Sequence, residues 1–505
     1  MAVTGLTAPG LSLGTLFAIA SLSLVAYLLG HVAYNLLLHP LRGYPGPRWM
    51  AASRIPYCYR LVTGRLPFDV LALHRRYGEV VRIAPDELVF ASARAWRDIM
   101  GHRGPGEPEM SKAPQMYSVV KSQPKTIINA PREEHGRLRR QLAHGFSDRS
   151  MRDQQPIIID YINLLIRQLH ARCDDGKRAL DAVAWYNYTT FDVIGDLAFG
   201  EPFGCLRSGE YHPWIAMIFQ SIKIGTLFQS AGFFPWIQTA LMKMIPKSMM
   251  KKRNEHLKLT KEKLLKRMDL GSERNDLIEG LLKKKDELNL DVDKLQLNAS
   301  ILIIAGSETT ATLLSGATYL LTTNPEALRR LTEEVRSTFK TEGEIDFTSV
   351  STLPYMLACL DEALRMYPPA PLGLPRQTPK GGATIAGHHV PEDTVVSQYH
   401  YALYHNEKFF KKPEEYRPER WLGDPEFATD DRDVFQPFHV GPRNCIGKNL
   451  AYIEMRIILA RVLWNFDIRL ADESRNWLGR QKIYLLWEKS PLYVYMTPRA
   501  ARTKE

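Results

Sequence analysis

The N-terminal segment of the chain carries almost no polar pattern. From Leu11 to Leu38 the residues are nearly all apolar, and residues 1–41 contain no Asp, Glu, Lys or Arg. An α-helix needs about 20 apolar residues to span the hydrocarbon core of a bilayer. The pattern therefore predicts a transmembrane anchor at residues 11–38, preceded by a short lumenal segment at residues 1–10.

The charges that follow predict the orientation of this anchor. The first charged residues are all arginines, from Arg42 to Arg65, and the first acid is Asp69. Positive residues flank membrane helices on the cytoplasmic side, so we expect the rest of the chain in the cytoplasm and the sequons at Asn187 and Asn298 unmodified. A cleaved signal peptide is the alternative. However, the segment lacks the basic N-terminal residues of a signal peptide, and its apolar stretch is longer than that of a signal peptide.

Beyond the anchor, the pattern predicts a hinge and then one large domain. Residues 44–47 read Tyr-Pro-Gly-Pro, and proline fixes φ and removes a hydrogen-bond donor, so residues 39–60 are predicted to form the hinge. We find no repeat or change of composition after it, which favours a single domain over residues 61–505. Asn324 and Pro325 are expected to cap and begin a helix.

The remaining pattern favours helices over strands. Apolar residues run from Leu295 to Leu321, as in a buried helix. Strand-like stretches are short and lie at Val80–Ile83, Leu88–Phe90 and within Gly381–Ser397. The expected fold class is mainly α with small β-sheets.

Composition and charge narrow the class of protein. With 505 residues, 45% hydrophobic and 24% charged, the chain is an ordinary globular protein and neither disordered nor collagen-like. Its five widely spaced cysteines argue against a disulfide scaffold or a zinc site. Within the net charge of +11, Lys243–Lys285 holds fourteen Lys/Arg against six Asp/Glu, after the aromatic stretch Phe228–Trp236. This region is either a membrane-interface element or a solvated basic helix beside a core segment.

The segment Phe438–Gly447, Phe-His-Val-Gly-Pro-Arg-Asn-Cys-Ile-Gly, carries the most specific chemistry. Cys445 lies on a glycine-rich loop before a helical pattern, where glycines allow close approach of a flat ligand and the helix N-terminus stabilises a thiolate. Arg443 can pair with a carboxylate. A haem iron with propionates would need this combination, and the alternative is a buried, inert cysteine on a turn.

This segment resembles the cysteine-ligand loop of the cytochrome P-450 family, F-x-x-G-x-R-x-C-x-G, at every fixed position. The resemblance implies the cytochrome P-450 fold and haem b, with the Cys445 thiolate as the axial ligand of the iron. Glu362 and Arg365 resemble the E-x-x-R motif of the family, and Arg420 resembles the arginine of its later P-E-R-F element. The resemblance implies that the three residues form a buried, mutually paired triad. Trp421 stands where the family more often has Phe.

Residues 305–310, Ala-Gly-Ser-Glu-Thr-Thr, interrupt the apolar helix and resemble the family's oxygen-pocket signature. The resemblance makes Thr309 and Glu308 catalytic residues, Thr309 through hydrogen bonding at the oxygen pocket and Glu308 as part of a proton relay. A polar kink that serves only packing is the alternative.

Four basic residues are implied by the resemblance as partners of the haem propionates. His135 and Arg139 lie four residues apart, on one face of a predicted helix, and Arg376 and Arg443 complete the set. Phe438 is implied as a further haem contact. The alternative for His135 and Arg139 is a basic solvated helix. Arg137 and Arg140, on other faces, are candidates for docking an acidic redox partner.

The whole chain looks most like fungal microsomal members of secondary metabolism, in the style of isotrichodermin hydroxylases. The resemblance implies a monooxygenase, single-pass in the endoplasmic reticulum membrane with its catalytic domain in the cytoplasm, that hydroxylates or epoxidises an apolar small molecule with O2. No GxGxxG loop follows a strand, so NADPH would act only indirectly, through an NADPH–cytochrome reductase, with cytochrome b5 as a second candidate partner and no nucleic acid. The alternatives are a reductase-independent isomerase or dehydratase of the same family, and a non-catalytic haem sensor.

Overall fold

The computed structural model describes residues 12–104, 106–117, 124–271 and 274–499. The predicted lumenal segment 1–10 and Leu11 lie outside these ranges. Within them the chain is mainly helical with small β-sheets, as the sequence predicts.

Helices account for most of the described chain. They are α1 (Leu13–Ala33), α2 (Arg48–Ala52), α3 (Ile55–Val62), α4 (Leu66–Tyr77), α5 (Ala93–Met100), α6 (Pro114–Tyr117), α7 (Arg132–Gly145), α8 (Asp148–Arg172), α9 (Ala182–Phe199), α10 (Cys205–Ser208), α11 (Pro213–Gly232), α12 (Pro235–Met244), α13 (Lys247–Asp269), α14 (Glu279–Lys283), α15 (Val292–Thr323), α16 (Pro325–Thr338), α17 (Pro354–Met366), α18 (His400–Tyr404) and α19 (Lys448–Asn465). At the start of α15 the Asp291 side chain accepts from the Lys294 amide, a normal N-cap. The cap predicted for α16 is not formed, because the Asn324 side chain instead donates to the Leu320 carbonyl (2.7 Å).

The strands are short and form small sheets. They are β1 (Val80–Ala84), β2 (Glu87–Phe90), β3 (Ser111–Lys112), β4 (Ala179–Asp181), β5 (Arg376–Gln377), β6 (Ala383–Ile385), β7 (His388–Val390), β8 (Val395–Ser397), β9 (Phe466–Leu470), β10 (Lys482–Ile483), β11 (Trp487–Glu488) and β12 (Tyr493–Pro498). The largest sheet has the order β1-β2-β8-β5-β3, with only β2 and β8 parallel among its described strands. This order sets Lys112 of β3 opposite Arg376 of β5, although the two are far apart in sequence.

α15 lies at the centre of the helical part. It packs against α9, α13, α17 and α19, and most of its residues are buried. A Cβ at Gly306 would lie 2.8 Å from Cδ1 of Ile194 on α9, so this glycine allows the two helices to approach closely. α15 stays continuous through residues 305–310, so the polar segment does not interrupt the helix as its sequence suggests.

α1 has the features expected of the anchor. The stretch Leu13–Leu38 has a mean hydropathy of 2.0, is long enough to cross a membrane and has no buried share in its most apolar window. α15 also passes this test of length and hydropathy, but 61% of its window is buried. α15 is therefore a core helix, whereas α1 remains a candidate membrane span.

The segment after the anchor is more ordered than the predicted hinge at residues 39–60. α2 and most of α3 lie within it, and Met50 and Tyr57 are buried in the main core. Because apolar side chains after Pro47 pack into the main core, the proline-rich turn is confined to the residues before α2.

The expected triad of charges is buried beside α17. Glu362, Arg365 and Arg420 are all inaccessible to solvent. Arg365 donates to both carboxylate oxygens of Glu362 (2.9 and 2.8 Å), and Arg420 Nε lies 3.2 Å from Glu362 Oε2. Burial alone would raise the pKa of Glu362, but the two arginines bring it below its ordinary value. Trp421 Nε1 also donates to this carboxylate (2.9 Å), a bond that Phe could not make.

Candidate active site

Cys445 lies in a tight loop directly before α19. Its amide donates to the Phe438 carbonyl (2.9 Å), which closes the loop. Gly441 has a φ of +76°, and a Cβ there would collide with the Met100 carbonyl oxygen, so the loop requires glycine at this position. Cys445 is exposed, whereas the other four cysteines, all within the described ranges, are buried. Cys445 is therefore the one cysteine of the five whose residue surface is open to solvent.

α15 has an accessible strip within the otherwise buried core. Ala305 is exposed and Thr309 is half-buried, and residues four apart share a helix face. Thr309 Oγ1 donates to the Ala305 carbonyl (2.6 Å). α15 packs on α19, which begins at Lys448 just after the cysteine loop. The strip therefore lies on a helix that packs against α19, and Cys445 lies in the loop just before α19.

Glu308 does not share this strip. Its side chain is buried, and Glu308 Oε1 forms an ion pair with Lys489 Nζ and lies 3.4 Å from Thr312 Oγ1. Lys489 Nζ also donates to Thr312 Oγ1 (2.5 Å). The second carboxylate oxygen of Glu308 is buried and has no hydrogen-bond partner among the described residues. The two predicted catalytic residues are therefore adjacent in sequence but have different surroundings.

Basic side chains from distant parts of the chain meet near the cysteine loop. Arg443 donates to Glu109 from Nε (2.5 Å) and Nη2 (3.2 Å), and Arg376 Nη1 lies 3.9 Å from Glu109 Oε1. Lys112 lies across from Arg376 in the β3–β5 register. His135 is buried on α7 and interacts electrostatically with Arg443 and Lys112.

The other predicted contacts also lie at this loop. Arg139 reaches it from α7 and donates to the carbonyl oxygen of Asn444 (2.6 Å) and to Asn444 Oδ1 (2.5 Å). Phe438 is half-buried, with its ring centroid 5.2 Å from that of Tyr452 on α19. The fold thus gathers His135, Arg139, Arg376, Arg443 and Phe438 around Cys445 and leaves Glu308 apart.

A protein-family model described as cytochrome P-450 matches residues 53–496. The chain belongs to the cytochrome P-450 family. The matched range holds every predicted site residue and leaves out residues 1–52 and 497–505.

Several curated relatives of this cytochrome P-450 align over nearly their whole length. The cytochrome P-450 monooxygenase prhB of Penicillium brasilianum is 46% identical over 480 residues, which are 95% of this chain and 98% of prhB. The trichothecene C-15 hydroxylase of Fusarium sporotrichioides is 45% identical over 493 residues, 97% of this chain and 99% of that enzyme. The averantin hydroxylase of Dothistroma septosporum is 44% identical, covering 94% of this chain and 90% of that enzyme. This cytochrome P-450 is therefore an oxidoreductase of the monooxygenase class, and its predicted likeness to fungal secondary-metabolite enzymes is confirmed.

The family implies a haem-thiolate cofactor, and the charges near Cys445 fit one. Arg139, Arg376 and Arg443 supply three guanidinium groups and Glu109 one carboxylate, so these four residues have a net charge of +2, to which Lys112 adds when it is protonated. Haem b carries two propionates, so this charge would complement the cofactor, and guanidinium groups bind carboxylates in a fixed geometry.

Burial and neighbouring cations set the protonation of the remaining groups. Desolvation, with help from Arg443 and Lys112, lowers the pKa of His135 to about 4, so His135 is neutral at pH 7. Desolvation with Arg376 and Arg443 lowers the pKa of Lys112 to about 7. His135 can therefore act as a neutral hydrogen-bond donor, and Lys112 changes charge near physiological pH.

No local motif marks Glu109, Lys112 or Lys489 as site residues. Lys112 reaches the site through the pairing of β3 with β5, and Lys489 reaches Glu308 from 181 positions away. The signal that could identify these three residues is a contact between positions remote in sequence.

Proposed function

We propose that this cytochrome P-450 is a membrane-anchored haem-thiolate monooxygenase that hydroxylates or epoxidises an apolar small molecule in fungal secondary metabolism, such as a terpenoid, a polyketide or a mycotoxin. The exposed position of Cys445, on a loop next to the helix that packs on α15, carries the proposal. Haem b held by the Cys445 thiolate would supply the activation of O2.

The protein's own residues have separate tasks in this proposal. Arg376, Arg443 and Arg139 hold the propionates, and neutral His135 donates a further hydrogen bond. The Thr309 hydroxyl, on the accessible strip of α15, donates its proton to the Ala305 carbonyl and can accept a hydrogen bond on the oxygen side. Glu308 is part of a proton relay, within the buried hydrogen-bonded group that it forms with Lys489 and Thr312.

Electrons are proposed to come from an NADPH–cytochrome reductase, with cytochrome b5 as a second donor. α7 supports this part of the proposal. Arg137 and Arg140 are exposed, while His135 on the same helix is buried and Arg139 half-buried. α7 thus offers a basic outer face that complements an acidic partner and lies directly behind the cysteine loop.

The anchor α1 is proposed to cross the endoplasmic reticulum membrane once, with the catalytic domain in the cytoplasm and α12 resting on the membrane. On α12, Trp236 is 75% exposed. α12 packs on α11 and α11 on α3, where Ile55 is 63% exposed, so exposed apolar residues extend from α12 toward the N-terminus, as at a membrane interface. Lysines of α13 pair with acids one turn away, which supports a solvated basic helix there.

The first test is the carbon monoxide difference spectrum of the dithionite-reduced protein in microsomes. A strongly red-shifted Soret band that disappears in Cys445→Ser, but not in the control Cys359→Ser, supports thiolate ligation by Cys445. A band that survives Cys445→Ser contradicts it. Product formation that requires both NADPH and the reductase then separates the monooxygenase from an isomerase, a dehydratase or a haem sensor.

A further inference from the structure

Glu109 is the acidic partner within the group of cations near Cys445. It lies in the segment between α5 and β3, and its side chain is mostly shielded from solvent. Its two oxygens face Nε (2.5 Å) and Nη2 (3.2 Å) of Arg443, a two-point contact, and Arg376 Nη1 is 3.9 Å from Oε1. One carboxylate thus holds two of the three guanidinium groups.

This contact fixes the orientation of Arg443. A guanidinium group has five N–H donors. Two of those of Arg443 are directed at Glu109, and Nη1 donates a third to the Ala130 carbonyl (3.0 Å). Two donors, one each on Nη1 and Nη2, are left for another acceptor. Arg443 therefore meets a ligand with a fixed plane rather than as a mobile surface cation.

Glu109 is also ionised at neutral pH. Burial alone would raise the pKa of its carboxyl, but the bond from Arg443 and the charges of Arg443 and Arg376 bring it below the ordinary value. The carboxylate therefore contributes a full negative charge among the cations, and in a partly buried site this charge is weakly screened.

We propose that Glu109 is the internal counter-anion of the propionate site, where it positions Arg443 and, by its negative charge, makes the bound haem harder to reduce and easier to release. The proposal rests on the proposed function, since it concerns the haem held at Cys445. Glu109 is a positioning residue, because it acts through Arg443 and Arg376. A purely mechanical role, tying the α5–β3 segment to the cysteine loop, is the competing explanation.

Glu109→Gln tests the charge, because glutamine keeps the size of the side chain and one acceptor oxygen. Glu107→Gln is the matched control: Glu107 belongs to the same segment but is exposed, and among the described residues its carboxylate accepts a hydrogen bond only from the Gly104 amide (3.0 Å). Glu109→Asp keeps the charge and shortens the side chain. All variants are made in the full chain and loaded with haem.

Two measurements are decisive, the ferric–ferrous midpoint potential and the rate of haem transfer to apomyoglobin. We expect Glu109→Gln to shift the potential to a more positive value than either wild type or Glu107→Gln, because removal of an anion favours the reduced state. We expect its haem transfer to be several-fold slower, because the propionates lose a competing carboxylate. Glu109→Asp should keep a potential close to that of wild type.

Other outcomes overturn the proposal. Equal potentials in Glu109→Gln and Glu107→Gln remove the role of the charge, and faster haem loss or failure of Glu109→Gln to bind haem shows a mechanical tie instead. The carbon monoxide spectrum of wild type separates failure of the proposed function from failure of the role proposed for Glu109. If wild type lacks the thiolate band, the proposed function itself fails, whereas a normal band with unchanged potentials rejects only the role of Glu109.

Discussion

Neighbouring residues of α15 illustrate how strongly position on a helix determines the surroundings of a side chain. Successive residues of an α-helix are rotated by about 100°, so Glu308 and Thr309 face different directions. Thr309 shares the accessible strip with Ala305, whereas Glu308 is buried against Lys489 and Thr312. Thr309 is therefore the candidate for direct contact at the reaction site, and Glu308 for an indirect role.

Thr309→Ala should separate electron consumption from product formation. The variant loses the hydroxyl of the accessible strip but no core packing, so haem binding should be retained. We expect product formed per NADPH to fall by about 100-fold, the lower end for loss of a group that assists proton transfer, with hydrogen peroxide released in its place. Thr322→Ala is the control, because Thr322 makes the same bond to the carbonyl four residues earlier. Unchanged coupling in Thr309→Ala would contradict the assignment.

Glu454 of α19 should make stability fall as pH rises. Burial raises its pKa from an ordinary 4.5 to about 8, against the opposing hydrogen bond with Thr310. Between these values the folded protein binds one more proton than the unfolded chain, so the free energy of unfolding decreases by about 1.4 kcal/mol per pH unit from this group. Above the folded pKa the dependence ends.

Glu454→Gln removes this titration. We expect its thermal unfolding temperature to rise relative to that of wild type as pH increases from about 5 to about 8. Glu133→Gln, at an exposed position on α7, should follow the wild-type curve. Parallel curves for Glu454→Gln and wild type would show that Glu454 is ionised in the folded protein.

At the scale of elements, the features that could be predicted are those determined by residues close together in the sequence. The buried helix expected at Leu295–Leu321 and the strands at Val80–Ile83 and Leu88–Phe90 are confirmed, because local apolar patterns determine them. The partners of Arg443 and Glu308 could not be predicted, since Glu109 and Lys489 approach only through the tertiary fold. A motif gives the type of side chain at a site but not the counter-ions that tune it.

The triad beside α17 predicts an effect of Trp421→Phe. Phe keeps most of the packing but leaves the buried Glu362 carboxylate without the indole N–H donor. Loss of a hydrogen bond to a buried charge costs about 1–3 kcal/mol, and we expect a decrease of this size in the free energy of unfolding by urea. Trp49→Phe, at a half-exposed ring, should have little effect. Equal stability of Trp421→Phe and wild type would mean that Arg365 and Arg420 alone satisfy Glu362.

The geometry of the cysteine loop predicts that replacement by alanine is more damaging at one of its two motif glycines than at the other. Gly441 has a left-handed φ and no room for a Cβ beside the Met100 carbonyl, whereas Gly447 has a φ of −88° and its nearest contact is an ordinary 3.7 Å to Phe146. We expect Gly441→Ala to lower haem content and the thermal unfolding temperature, and Gly447→Ala to retain both near wild-type values. Equal damage by the two substitutions would contradict a cost that arises from backbone geometry.

At the scale of the whole molecule, exposure separates the anchor from the domain. α1 has no buried residue, while the sequons at Asn187 and Asn298 lie on buried positions of α9 and α15. A folded domain would therefore leave both asparagines unmodified on either side of the membrane. The absence of glycan on them does not report the orientation of the chain, so a test of topology needs an exposed acceptor.

Asp291→Thr creates such an acceptor at the exposed turn before α15, because it completes an Asn-Leu-Thr sequon that begins at Asn289. Asn289 and Asp291 are both exposed, and threonine can replace Asp291 as the N-cap of α15 at small cost. We expect the variant to show no shift in mobility on treatment with a glycosidase, because the positive residues after α1 favour a cytoplasmic domain. The control replaces residues 1–38 by a cleavable signal peptide, which exports the same domain and should yield a glycosylated protein. A glycan on the anchored variant would place the domain in the lumen, away from a cytoplasmic reductase.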